Sequence, residues 1–330
     1  MTGSGARNIL VTGGAGYIGS HACKALARAG LNPVVIDNLS RGHADAVKWG
    51  PLIAADLRNT DRVRDTLRHH RIAAVIHFAA FAYVGESTAQ PELYYDNNLG
   101  GMTSLLTAMR AEAVDQIVLS SSCATYGIPE TLPITEIAPQ RPINPYGRSK
   151  LICEWMLQDA ATAWGLRFAA LRYFNAAGAD PEGEIGERHD PETHLIPLAL
   201  MAAAGQGQLH VFGDDYDTPD GTCIRDYIHV SDLARAHVLA LNHLGAGGDS
   251  LAVNLGTGRG HSVREVIDAV ARVTGRAVPV VTAPRRAGDP DSLTADPTRA
   301  DNRLGFRADY TALDQIVADA APWFGHPGIE

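Results

Sequence analysis

The strongest constraint on this 330-residue chain lies near its start. There a short apolar run, Asn8 to Thr12 (NILVT), meets Gly13-Gly14-Ala15-Gly16-Tyr17-Ile18-Gly19, and Ser20 to Ala29 follows with helical composition. The order is strand, glycine turn, helix. Glycines at 13, 16 and 19 permit a tight turn, approach of backbone N–H groups to a pyrophosphate, and close packing of helix on strand, with the anion at the helix N-terminus. The spacing is G-x-x-G-x-x-G rather than G-x-G-x-x-G, and a glycine-rich turn by itself is often only a turn. The continuation decides between these readings. Pro33 to Ile36 (PVVI) reads as a second buried strand ending in Asp37, 18 residues after Gly19, where an acid would hydrogen-bond the adenosine ribose. A carboxylate there repels a 2′-phosphate, so the βαβ unit points to NAD rather than NADP.

Strands and helices keep alternating. Leu52 to Ala55 leads to Asp56, a helix runs over Asp61 to His70, a strand over Ala74 to Phe78, a helix over about Leu93 to Ala111, and a strand over Gln116 to Ser120. This pattern predicts an α/β fold with a Rossmann-type, doubly wound parallel sheet. Asp56-Leu57 falls just past a strand end, where it either meets the adenine or caps the following helix. Phe78, Ala79 and Ala80 end a strand on the edge where such sheets bind ligands. His77 reads as a satisfied strand histidine, and Asn97, a poor helix former inside a helix, suits a polar role toward the cofactor.

Gln116 to Ser120 runs into Ser121-Ser122-Cys123-Ala124-Thr125-Tyr126-Gly127, then a loop with five prolines up to Pro145, then Tyr146-Gly147-Arg148-Ser149-Lys150. Residues four apart share a helix face, which puts the Tyr146 phenol beside the Lys150 ammonium. A free tyrosine, with a pKa of about 10, is too rarely ionised at pH 7 to be an efficient base, and a neighbouring cation favours the phenolate. Such a tyrosine takes a proton from an alcohol while hydride leaves the carbon, and Ser122 at a strand end can hydrogen-bond the same hydroxyl.

The second half is less regular. Leu166 to Tyr173 is a strand, a polar stretch without periodicity runs from Asn175 through His189, and an apolar helix covers His194 to Ala204. A loop that long in a compact domain is usually functional. Short strands follow at Leu209 to Gly213, Ile224 to Val230, Ala252 to Leu255 and Val278 to Thr282, with helices at Asp232 to Leu244 and Val263 to Val273. Arg225 and Arg286 lie beside glycines in loops; the arginines suit diphosphate recognition and Asp289 a ribose or the orientation of Arg286, or all three are surface charges. Residues 1–174 are read as the dinucleotide-binding domain, with segments near 225–260 returning to it, and 175–330 mainly as a smaller α/β lobe. The net charge of −9 argues against a nucleic-acid or anionic-membrane binder. Met1 to Asn8 carries no leader pattern, no run approaches about 18 apolar residues, and the cysteines, 23, 123, 153 and 223, lack metal-ligand spacing. Four reduced thiols in a cytoplasmic protein, and no metal, are expected.

Taken together, GGAGYIGSH, DNLSRGH, HFAAFAYVGES, YYDNN, SSSCATYG, NPYGRSK, LRYFNAAGAD, GTCIRDYIHVSDLA, NLGTG and RRAGD make the chain resemble an extended short-chain dehydrogenase/reductase, and within these the UDP-glucose 4-epimerase family. The resemblance covers nearly the whole length. It implies that Gly13, Gly16, Tyr17, Ile18, Gly19, Asp37, Asn38, Asp56, Leu57, Phe78, Ala79, Asn97, Tyr146, Lys150 and Phe174 contact tightly bound NAD. It further implies that Ser122 and Tyr146 meet the sugar 4-hydroxyl, that Asn175, His194, Leu195, Arg225, Arg286 and Asp289 line the UDP-sugar site, and that Leu293 takes the position of the pocket gate. The implied reaction is 4-epimerisation through a 4-keto sugar, with UDP-glucose and UDP-galactose as substrates. Cys123-Ala124 stand where similar 4,6-dehydratases carry an Asp-Glu pair, which disfavours elimination. Ala82 replaces a lysine common in the family. The HFAAFAYVGEST segment also resembles UDP-arabinose 4-epimerases, so UDP-xylose/UDP-arabinose is an alternative substrate pair. A non-catalytic NAD-sensing regulator is the alternative of another class, against which Ser122, Tyr146 and Lys150 weigh. The resemblance implies a homodimer, through the helices near 93–111 and 146–164.

Overall fold

A computed structural model describes residues 7–286 and 288–326. The first six residues of the N-terminal reading, and Ala287 of the RRAGD run, lie outside the described residues.

The first strands and helices are β1 (Asn8–Thr12), α1 (Tyr17–Arg28), β2 (Asn32–Asp37), β3 (Leu52–Ala54), α2 (Thr60–His69) and β4 (Ala74–His77). After β4 come α3 (Val84–Ala89), α4 (Pro91–Tyr94), α5 (Gly100–Ala111), β5 (Gln116–Ser122), α6 (Pro145–Trp164) and β6 (Arg167–Tyr173). Beyond β6 lie β7 (Asn175–Ala177), α7 (Leu195–Ala203), β8 (Leu209–Phe212), β9 (Ile224–His229), α8 (Val230–Gly245) and β10 (Leu251–Leu255). The chain continues through β11 (Gly260–Ser262), α9 (Val263–Thr274), β12 (Val280–Ala283), β13 (Ser292–Leu293), α10 (Thr298–Leu304) and α11 (Leu313–Ala320).

The expected doubly wound sheet is present. Its seven strands run in the order β10-β6-β5-β4-β1-β2-β3, with β2 and β4 both parallel to β1, so the strand order reverses beside β1. Open α/β sheets bind ligands at the carboxyl ends of the strands that flank such a reversal. Leu10, Val34, Ile36, Val75, Ile117 and Leu119 are 0–3% exposed and form one core with Met102, Leu105 and Leu157 from the covering helices. Strands this apolar are buried on both faces.

The chain forms two compact units. The first takes residues up to 127, 140–172 and 234–253; the second takes 128–139, 173–233 and 254 onward. In the second, β9 is the middle strand, antiparallel to β11 and parallel to β13 and β7. α7, α9 and α11 share a separate core that includes Leu200, Val266, Val270 and Ile316.

Three local readings are refined. The helix expected over 93–111 is present and starts at Pro91, with a π-helical turn at Tyr95–Leu99 between α4 and α5. β5 extends to Ser122 because Ser120, Ser121 and Ser122, polar by composition, are all buried. β7 interrupts the stretch read as irregular, taking its hydrogen bonds from β9.

Candidate active site

Two glycines show how tightly the first unit is built around its turns. A Cβ on Gly19 would stand 2.2 Å from Gly13 O, so the start of α1 lies directly on the turn after β1. A Cβ on Gly147 would stand 2.4 Å from Ala124 O, so the first turn of α6 lies on the chain leaving β5. That second contact brings Ser122 and Tyr146 into one neighbourhood. α6 starts there because Asn144 Oδ1 accepts a hydrogen bond from Gly147 N at 2.8 Å and Pro145 occupies the first helical position.

Tyr146 and Lys150 are 7% and 4% exposed, and Lys150 Nζ lies 6.0 Å from the centre of the Tyr146 ring. Lys150 Nζ donates to Ser120 O at 2.7 Å, which fixes the ammonium beneath the strand end. Burial lowers its pKa from 10.5 to about 8, so it remains mainly protonated at neutral pH. Ser122 Oγ accepts from Ala124 N at 3.1 Å, which orients a hydroxyl that can still donate. His77 is a satisfied strand histidine, as expected: Thr12 Oγ1 lies 2.7 Å from its Nδ1, and burial, with Lys150 adding to it, lowers its pKa to about 3.

The residues expected at the cofactor stand along the same sheet edge. Asp37 ends β2, with Oδ2 accepting from Ala15 N at 3.0 Å and Oδ1 from Leu39 N at 2.8 Å; burial raises its pKa. Asn38 Nδ2 donates to Asp56 Oδ2 at 3.1 Å. Asp56 also receives Arg58 N and Nε, and Arg58 holds its carboxyl well below the usual range. The capping alternative for Asp56 is not realised, because Asn59 Oδ1 caps α2 by accepting from Arg62 N. Leu57 is buried in the core. The Phe78 ring lies 4.6 Å from that of His237, Ala79 N donates to Thr12 O at 3.1 Å, and Asn97 Nδ2 donates to Asn98 Oδ1 at 3.0 Å. Tyr17 is buried and Ile18 half-buried in the first turn of α1.

In the second unit, β9 gathers four of the residues expected at the substrate. Leu293 pairs with Arg225 across β13 and β9, Asn175 pairs with Tyr227, and Arg225 Nη2 forms an ion pair with Asp289. Arg286 stacks over the Phe212 ring, its guanidinium carbon 4.0 Å from the centre. His194 and Leu195 lie instead at the N-terminus of α7, where His194 engages Glu187 and Glu192. Phe174 is 6% exposed.

Residues 9–256 match the family described as NAD dependent epimerase/dehydratase. The chain belongs to that family. It is 53% identical over 317 residues to a UDP-glucose 4-epimerase of Rhizobium meliloti (strain 1021), covering 96% of each chain. A UDP-glucose 4-epimerase from Brucella ovis in complex with NAD superposes with a TM-score of 0.96 at 60% identity, over 98% of this chain and 99% of that one. A UDP-glucose-4-epimerase from Stenotrophomonas maltophila, with bound NAD and formylated UDP-arabinopyranose, gives 0.93 at 44% identity, over 96% and 97%.

This epimerase-family chain carries residues that fit a dinucleotide. The N-cap Gly16 has no capping side chain and no acidic residue lies in the first turn of α1, so the backbone N–H groups of that turn are left for an anion. Sequence reasoning missed Asn98, which is 2% exposed. Its amide donates to Phe81 O and to Ser149 Oγ and accepts from Phe81 N, tying the π-helical turn to α6 and to the loop after β4. The neighbouring Asn97 carried the only signal for it. Also missed was the buried pair beneath the serines: Arg172 Nη2 donates to Glu154 Oε2 at 2.6 Å, Arg172 Nη1 to Tyr126 OH at 2.9 Å, and Ser121 Oγ to Glu154 Oε1. These partners are 18, 33 and 46 residues apart, so no spacing rule finds them.

Proposed function

We infer that this chain is an NAD-dependent epimerase that inverts C4 of a UDP-sugar, interconverting UDP-glucose and UDP-galactose. The observation that carries the reading is the buried Lys150 ammonium held 6.0 Å from the Tyr146 ring, with Ser122 at the end of the adjoining strand, in a chain of this family. Bound oxidised nicotinamide supplies the reversible hydride acceptor that makes C4 oxidation and re-reduction possible. The chain's own residues do the acid–base work. Lys150 stabilises the Tyr146 phenolate, Tyr146 accepts the 4-hydroxyl proton, and Ser122 hydrogen-bonds the same oxygen. The proton returns from Tyr146 when the 4-keto sugar is reduced from its opposite face.

Gly13, Gly16, Tyr17, Ile18, Gly19, Asp37, Asn38, Asp56, Leu57, Phe78, Ala79, Asn97 and Phe174, with Tyr146 and Lys150, are assigned to the cofactor. Asn175, Arg225, Arg286, Asp289 and Leu293 are assigned to the UDP-sugar, with His194 and Leu195 entering through the start of α7. Arg225 and Arg286 supply charge for the diphosphate. The test is purified protein mixed with UDP-galactose and no added NAD. UDP-glucose forms if the reading is right; none forming while NAD is present in the protein refutes it. The pentose reading rests on the formylated UDP-arabinopyranose bound by the Stenotrophomonas relative. Relative rates on UDP-galactose and UDP-arabinose separate the two.

A homodimer through α5 and α6 is part of the proposal, and Trp155 on α6, 52% exposed, supports it. A cytoplasmic location is likewise proposed, on four free thiols. No helix among the described residues is long and apolar enough to cross a membrane.

A further inference from the structure

We propose that Glu187, His189, Glu192 and His194 form a binding site for one first-row divalent cation of the zinc type, which pins the segment before α7 to the start of that helix. The sequence here is Glu-x-His repeated five residues on, Glu187-Arg188-His189 and Glu192-Thr193-His194. The chain folds so that one ligand atom from each of the four side chains falls within 4.8 Å of the others. His189 Nδ1 lies 3.0 Å from Glu187 Oε1 and 3.7 Å from Glu192 Oε2, and His194 Nδ1 lies 3.5 Å from Glu192 Oε1 and contacts Glu187 Oε1. Around a zinc-sized ion, ligand atoms at about 2.0–2.2 Å in a tetrahedron stand roughly 3.3–3.6 Å from one another. Closing the widest separation, at most 4.8 Å, by roughly 1 Å would make these four side chains a tetrahedral N₂O₂ set.

Electrostatics and orientation point the same way. The Glu187 and Glu192 side chains are 2% and 5% exposed, and both imidazoles pair with them. An ion that binds both ring nitrogens displaces the protons now shared with the carboxylates, and its two positive charges then neutralise Glu187 and Glu192 in their poorly solvated place. Thr193 N and His194 N donate to Glu192 Oε1 at 2.7 and 2.9 Å, and Glu192 Oε2 is buried and accepts no hydrogen bond. One oxygen of the carboxylate is thus clamped by the backbone while the other is aimed at His189, the outer-shell arrangement that orients a metal ligand. A cavity of about 360 Å³ beside Glu187, His189 and Glu192, walled by Trp323 and Phe324, provides an entry path. Imidazole with carboxylate favours zinc or its first-row neighbours over calcium or magnesium.

The test uses the full chain, stripped with a chelator, reloaded with Zn²⁺ or Co²⁺ and passed through gel filtration before metal analysis. One ion per chain is expected, and the Co²⁺ form should show tetrahedral d–d absorption without thiolate charge-transfer bands, a readout that needs no variant. His189→Gln and Glu192→Gln should each weaken retention by roughly 100-fold or more, the upper end of what outer-shell losses alone produce. A His69→Gln/His70→Gln control at a surface histidine pair should change nothing. No ion retained by the wild-type chain, thiolate bands in the Co²⁺ spectrum, or retention unchanged in His189→Gln/Glu192→Gln would each overturn the proposal, leaving the cluster as hydrogen-bonded imidazole–carboxylate pairs.

Discussion

Replacing Lys150 by methionine should stabilise the folded protein while removing its turnover. Burial lowers the Lys150 pKa from 10.5 to about 8, which corresponds to about 3 kcal/mol spent on keeping the ammonium charged inside the protein at pH 7. Methionine has a similar length and no charge, so it removes that cost but also the hydrogen bond from a charged donor to Ser120 O, worth about 2 kcal/mol. The net expectation is a variant more stable by about 1 kcal/mol at pH 7. The sign of the pH dependence follows from the direction of the shift. Below pH 8 the lysine is protonated in both folded and unfolded states and the full cost is present. Between about 8 and 10.5 the unfolded chain keeps the proton that the folded one has lost, so wild-type stability rises by about 1.4 kcal/mol per pH unit. Burial pushes the Cys23 and Cys153 thiols up to about 12 and about 11; both thiols are present in each protein and largely cancel in the difference. Urea denaturation of cofactor-stripped wild type and variant from pH 7 to above pH 9 measures the gap. A variant no more stable than wild type at pH 7, or a gap that does not close as pH rises, would refute the assignment of Lys150 as a buried charge kept for catalysis.

Other perturbations read different parts of the same argument. Tyr146→Phe should keep bound NAD and lose turnover by orders of magnitude; wild-type rates in this variant would take Tyr146 out of the mechanism. Gly19→Ala places a methyl group 2.2 Å from Gly13 O and should abolish NAD retention, measured as cofactor released from denatured protein. Glu154→Leu strands the Arg172 guanidinium, whose side chain is 6% exposed, and should cost about 3–5 kcal/mol in urea denaturation; a loss below about 1 kcal/mol would show that the pair adds little.

How much of this was legible in the sequence depended on whether a feature has a period. β1, the glycine turn and β2 were readable because an apolar run, a breaker and a second apolar run follow at short range. The Tyr146 and Lys150 pair was readable because four residues make one helical turn. Asn98 was not, since its partners Phe81 and Ser149 come from other segments and its neighbour Asn97 carries the same composition signal. Asp226 escaped for the same reason: it accepts from Thr257 N and Oγ1, Gly258 N and Ala295 N, partners 31 to 69 residues away. Of the Glu187 to His194 cluster, Glu187 and His189 lay in the stretch read as irregular and His194, singled out for the substrate, at the start of the helix read over His194 to Ala204. The cluster's convergence depends on backbone reversals that composition does not encode.

The strand order has a consequence for synthesis. β10 lies outermost beside β6 in the seven-stranded sheet, yet some 77 residues separate the end of β6 from the start of β10. A ribosome therefore releases β1 to β6 well before the strand that covers the open margin of β6, and the backbone groups along that margin wait unpaired in the meantime. A nascent chain halted in this interval would present a sticky ribbon to its neighbours, so the safe stopping points for a shortened version of this protein lie after residue 255 and not before it.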